Sequence, residues 1–164
     1  MSATEEFLAA NRNYAETFDK GDKAMPPAKR VAVVACMDAR IETGRLLGLE
    51  EGDAHVIRNA GGVVTDDVIR SLTISQRLLG TTEIVLVHHT DCGMLTFEDA
   101  PLKADIEQET GLRPPFALEA FPDLDEDVRQ SIRRIQASPF IPHKDNVRGF
   151  VYDVRTGRLN EVTA

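Results

Sequence analysis

At 164 residues, with 42% apolar and 28% charged side chains spread along its length, the chain has the size and composition of one globular domain, usually about 100–150 residues. A net charge of −8 gives no net basic face, so neither nucleic acid nor an anionic membrane is expected as a partner. The N-terminal segment lacks the basic and apolar regions of a secretory signal, and no apolar run reaches the roughly 18 residues of a membrane helix; a cytoplasmic location is expected. In that compartment Cys36 and Cys92 stay reduced, which leaves burial, metal binding or catalysis as their uses.

Residues 4–18 carry Phe7, Leu8, Tyr14, Ala15 and Phe18 at near-helical spacing, and KGDKAMPPAK follows as a linker, so residues 1–25 read as an arm on a single domain spanning 1–164. RVAVVAC (30–36) is the β-branched, unbroken run of a strand buried on both faces. A short helix over 42–49 and a strand over 54–59 come next. Thr65-Asp66-Asp67 starts a helix with Val68, Leu72, Ser75 and Leu79 on one face, ended by Gly80. EIVLVHH (83–89) is the third strand. The 94–123 segment permits a short helix near 102–110 and then a loop; a helix follows over 125–138 with Val128, Ile132 and Ile135 on one stripe. VRGFVYDV and RLNEV form a closing hairpin. Strands alternating with helices predict an α/β fold with a mainly parallel central sheet flanked by helices.

Two strands end in ligand chemistry: ACMDAR at 35–40 and HHTDCG at 88–93. In open α/β sheets, ligands gather at the carboxyl ends of strands. Thiolate and imidazole suit Zn2+, and three protein ligands with one open position mark a catalytic zinc site; Cys36, His89 and Cys92 supply that set. His88 points to the opposite face from His89 and is less suited. Taken alone, two cysteines are more often buried thiols, and HxxC is a weak signal; CxDxR after one strand with HxxC after another is far harder to obtain from packing.

CMDAR, HHTDC and the intervening RNAGG together resemble the zinc signature of the β-class carbonic anhydrases, compact bacterial and mycobacterial members above all, from about residue 27 to the end. The resemblance implies zinc on Cys36, His89 and Cys92, and a carboxylate–guanidinium dyad of Asp38 and Arg40. It also implies a mainly parallel sheet and a dimer with sites near the interface. The implied reaction is reversible hydration of CO2 to bicarbonate and a proton, with hydroxide on zinc as nucleophile. Asp38 would orient that oxygen while Arg40 keeps the carboxylate ionised; with the pair broken, Asp38 could itself become the fourth ligand, giving a pH-dependent switch. Ala60, Gly61, Gly62, Val63 and Val64 are candidates for an apolar substrate niche, although Gly61-Gly62 can equally be only a tight turn.

Other readings carry less. Arg58 and Asn59 are candidates to position that loop, but a surface salt bridge explains Arg58 as easily. His55 and His143 read as surface or packed histidines, and Asp66-Asp67 as a helix cap. AGGVVTD lacks the GxGxxG spacing of a dinucleotide site, and no CxxC supports thioredoxin-like chemistry. Carbonyl sulfide or carbon disulfide hydrolysis on the same scaffold is the nearest enzymatic alternative, and a non-catalytic zinc module closed by Asp38 is the alternative from another class. The amphipathic arm needs an apolar surface away from its own sheet, so a homodimer or dimer of dimers is expected.

Overall fold

The computed structural model describes residues 2–163. Helix α1 (Ala3–Glu16) opens on a capping box, Ser2 with Glu5, and buries none of its residues. Strand β1 (Val31–Cys36) is buried along its whole length, as its unbroken apolar run predicts. Helix α2 (Thr43–Leu47), strand β2 (Ala54–Asn59), helix α3 (Asp66–Arg77) and strand β3 (Glu83–His89) follow. Helix α4 (Asp99–Thr110) starts earlier than the sequence suggests and ends where Gly111 turns left-handed. Helix α5 (Leu124–Ala137) and the hairpin β4 (Val147–Tyr152) and β5 (Leu159–Val162) complete the chain.

The sheet order is β2-β1-β3-β4-β5, with β5 alone antiparallel. One face carries Ala32, Val34, Ile84 and Leu86 against Val68 and Leu72 of α3 and Val128, Ile132 and Ile135 of α5. The other face carries Val33, Ala35 and Val87 against Leu46 and Leu47 of α2. Gly149 lets α5 approach β4: a Cβ there would stand 2.3 Å from Val128 Cγ1.

Helix α3 is capped by the Thr65 hydroxyl, which accepts from the Val68 amide; Asp66 and Asp67 occupy its first turn. Its buried stripe closes with Gln76 rather than Leu79, because the helix stops at Arg77 and Leu79 lies beyond it, half-buried. Gln76 is anchored instead: its amide donates to the His143 carbonyl and its side-chain oxygen accepts from the His143 amide.

Candidate metal centre

Strands β1 and β3 are parallel neighbours, so their carboxyl ends deliver Cys36 and His89 to one rim of the sheet. After His89 the chain must reverse at once to return Cys92. Asp91 does this with a left-handed φ of 56°, which Asp tolerates better than most residues, and a 3-10 turn over Gly93–Leu95 follows. The candidate ligand atoms of Cys36, His89 and Cys92 all lie within 4.8 Å of one another, and all three residues are buried. A tetrahedral zinc ion with bonds of about 2.0–2.3 Å has ligand–ligand edges of roughly 3.5–3.8 Å, within that span.

His89 Nδ1 lies 2.8 Å from the Thr90 carbonyl, which can only accept; the proton is therefore on Nδ1. Nε2 keeps its lone pair, is buried, and has no hydrogen-bond partner among the described residues. An orphaned imidazole nitrogen beside two thiols, with the remote nitrogen fixed by a carbonyl, is the donor set and tautomer that zinc requires.

The thiols titrate as a pair. The hydrogen bond from the Cys92 thiol pulls Cys36 down to about 4 against the opposing effect of burial, with help from His89. The same contact with the Cys36 thiolate, together with burial, pushes Cys92 up. Burial presses His89 downward, but the Cys36 thiolate, the Thr90 carbonyl and the Asp38 carboxylate together outweigh it and the net shift is upward.

Arg40 ties the two ligand loops together. Its Nε and Nη2 donate to the two carboxylate oxygens of Asp38 at 3.0 and 2.8 Å, while Nη1 donates to Asp91 Oδ2 at 2.8 Å and Nη2 to the Asp91 carbonyl at 3.0 Å. The Arg40 side chain and amide hold the Asp38 carboxyl well below the usual carboxylate range. Asp38 Oδ2 sits 3.8 Å from His89 Nε2, close to the three-atom group but engaged by Arg40. Asp91 had no place in the sequence reading; its position between the two HxxC ligands was the available signal.

Around the three candidate ligands and Asp38 lies a cavity of about 190 Å³, lined also by Met37, Ala60, Gly61, Gly93 and Met94. Of the glycine pair, only Gly61 faces it. Gly62 is pressed against the sheet, where a Cβ would stand 2.9 Å from the Cys36 amide nitrogen, at a φ of 68°. Val63 packs beside Cys36 and Cys92 in the buried cluster, and Val64 belongs to the main core with Leu72; neither lines the cavity, so the expected niche contracts to Ala60 and Gly61. His88 turns away into the core and pairs with Asp127 at 2.7 Å, and His55 Nδ1 bonds the Ser75 hydroxyl at 2.8 Å.

The carbonic anhydrase family model matches residues 31–114, just over half of the chain and both motifs. Beta-carbonic anhydrase 1 of Mycobacterium tuberculosis is 62% identical over 163 residues, covering 99% of each chain. The chain belongs to the β-carbonic anhydrase family. The crystal structure of a carbonic anhydrase from Streptococcus mutans superposes with a TM-score of 0.93 at 44% identity over 99% of both chains. A more distant relative, a carbon disulfide hydrolase from an Acidianus strain, is 34% identical over 85% of this chain and 80% of its own. Zinc is the cofactor of β-carbonic anhydrases, and the Cys-His-Cys group fits it. Among the described residues, no helix is long and apolar enough to cross a membrane.

Proposed function

We propose that this chain catalyses the reversible hydration of CO2 to bicarbonate and a proton, with one zinc ion held by Cys36, His89 and Cys92. The observation that carries the reading is the free, buried Nε2 of His89 between two thiols and beside an ionised, clamped Asp38. Zinc, when bound, supplies the Lewis acidity that makes a water molecule nucleophilic near neutral pH. With zinc bound, Asp38 would accept a hydrogen bond from that water and aim it, using a lone pair left over from Arg40. A carboxyl held so far below its usual range does not take up a proton near neutrality, so Asp38 orients and the proton leaves to buffer. Ala60, Gly61 and Met94 offer an uncharged, largely apolar wall to a linear, uncharged substrate.

The clamp on Asp38 supports an open fourth position rather than a permanently closed structural zinc site. Release of the clamp would let the carboxylate reach the metal, and hydroxide, favoured as pH rises, would compete with it there; that competition is the basis of the proposed pH-dependent switch between open and closed forms. We infer a homodimer or dimer of dimers from the exposed Phe7, Leu8, Tyr14 and Phe18 on and just after α1. A cytoplasmic setting suits two free cysteines used as ligands.

Stopped-flow CO2 hydration on the zinc-loaded protein, run beside carbonyl sulfide and carbon disulfide hydrolysis, tests the function. Turnover of CO2 with little or none of the sulfur substrates is expected. Faster turnover of either sulfur compound would transfer the assignment to that hydrolase, and zinc-loaded protein inert toward all three would favour the structural module. A single-chain mass in light scattering across dilution would refute the dimer.

A further inference from the structure

We propose that Arg58 is a positioning residue that holds the Cys36–Asp38 turn, and through it the Asp38 carboxylate, in register with the metal site. The proposal rests on Cys36, His89 and Cys92 being the zinc ligands. The hydrogen-bond ladder between β1 and β2 ends with the Met37 amide donating to the Asn59 carbonyl at 2.8 Å. Past that point, among the described residues, the backbone carrying the orienting carboxylate has no strand beside it. Met37, between Cys36 and Asp38, is 64% exposed and so packs too little to hold the turn.

The Arg58 guanidinium fills this gap. Nε donates to the Cys36 carbonyl at 2.9 Å and Nη2 to the Asp38 carbonyl at 2.8 Å, one planar fork grasping the carbonyls on either side of Met37. Among the described residues no carboxylate forms an ion pair with Arg58, so the surface salt bridge considered for it from sequence is not its role. Arg40 and Arg58 therefore divide one task. Arg40 fixes the torsions of the Asp38 side chain, and Arg58, together with the buried Ile41, whose amide donates to the same Asp38 carbonyl at 3.0 Å, fixes where its Cα stands. A lysine supplies the same charge from a single point on a flexible stem and lacks the rigid planar fork that spans both carbonyls.

The experiment compares wild type with Arg58→Lys and Arg58→Met. Three quantities are measured: zinc per chain, the visible spectrum of the cobalt(II)-substituted protein, and kcat and KM for CO2 across pH. Groups one step behind metal ligands typically change affinity or activity about 10–100-fold when removed. Arg58→Met should keep zinc, lose activity in that range mainly in kcat, and show a cobalt spectrum shifted toward carboxylate ligation. Lysine should recover only a minor part. Wild-type kcat and spectrum in Arg58→Met would overturn the proposal, as would full rescue by lysine, which would reduce the role to charge. If Arg58→Met fails to fold, the Nε–H resonance of Arg58 in 15N-labelled wild-type protein decides: slow solvent exchange is expected, and free exchange would overturn the clamp. Zinc stoichiometry below one in folded wild-type protein would instead break the ligand assignment on which this rests.

Discussion

Replacing Arg40 by Gln separates catalytic orientation from stability. The substitution removes two side-chain hydrogen bonds to Asp38, at 3.0 and 2.8 Å, and two to Asp91, at 2.8 and 3.0 Å. The side chains of Arg40 and Asp38 are 47% and 18% exposed, so solvent screens their attraction and the unfolding midpoint should move little. What stability the pair gives has a definite sign. Because the folded Asp38 carboxyl titrates below its unfolded value of about 3.9, its contribution is complete above that pH and disappears as pH falls through the folded value. The small difference in midpoint should therefore be constant from about pH 5 to 8 and shrink below about pH 4. Activity should respond far more, by about 10–100-fold in kcat/KM, the usual effect of removing a partner that orients a metal site. Freed from the guanidinium and only 3.8 Å from His89 Nε2, Asp38 can reach the metal. Hydroxide competes better with a carboxylate as pH rises, so the deficit should be deepest in mild acid and narrow toward alkaline pH. Stopped-flow hydration, zinc analysis and chemical denaturation on the same preparation read all three. Arg40→Gln with unit zinc and a rate within twofold of wild type at every pH would refute the role given to the dyad.

Cys92→Ala should leave the fold intact but abolish stoichiometric zinc and turnover, read by metal analysis and the CO2 assay. In metal-free protein at pH 6 the Cys36 thiol, pulled down by the hydrogen bond from Cys92, should alkylate before Cys92, and zinc should protect both; equal labelling by mass spectrometry would contradict the placing of the thiolate on Cys36. Gly62→Ala forces a Cβ to 2.9 Å from the Cys36 nitrogen and 3.0 Å from the Ala35 carbonyl carbon, so it should destabilise by about 1–3 kcal/mol and weaken zinc binding, measured by denaturation and metal competition. Gly149→Ala meets Val128 Cγ1 at 2.3 Å; it should lower Tm by roughly 3–9 °C while leaving activity per folded molecule unchanged.

Regular elements were legible because their periodicity is a local property. The unbroken RVAVVAC run announced a strand buried on both faces, and the Val128, Ile132 and Ile135 stripe announced α5. The candidate metal residues were legible as a group because their chemistry is rare and falls at strand ends. What escaped was set by tertiary placement. Whether Gly61 or Gly62 faces the cavity depends on how the 3-10 turn after β2 lies on the sheet, which no spacing encodes. Asp91 and Arg58 are common polar residues whose roles arise from acceptors on other segments: the Arg40 guanidinium for one, the Cys36 and Asp38 carbonyls for the other. Likewise Gln76 completes the α3 stripe only because His143, distant in sequence, offers both a donor and an acceptor.

The sheet order explains why this chemistry needs arginines at all. In the parallel register Ala35 lies level with Val87 and Cys36 with Asn59, so β1 ends beside β2 just where β3 runs on to His89. The ladder thus places the ligand residues but leaves the turn carrying Asp38 beyond the last rung. Two ligand thiolates offset the charge of a bound dication, so the ion itself has little net attraction to restrain that turn. Charge-assisted hydrogen bonds from Arg40 and Arg58, one to the carboxylate and one to the main chain, are the restraint the sheet does not provide.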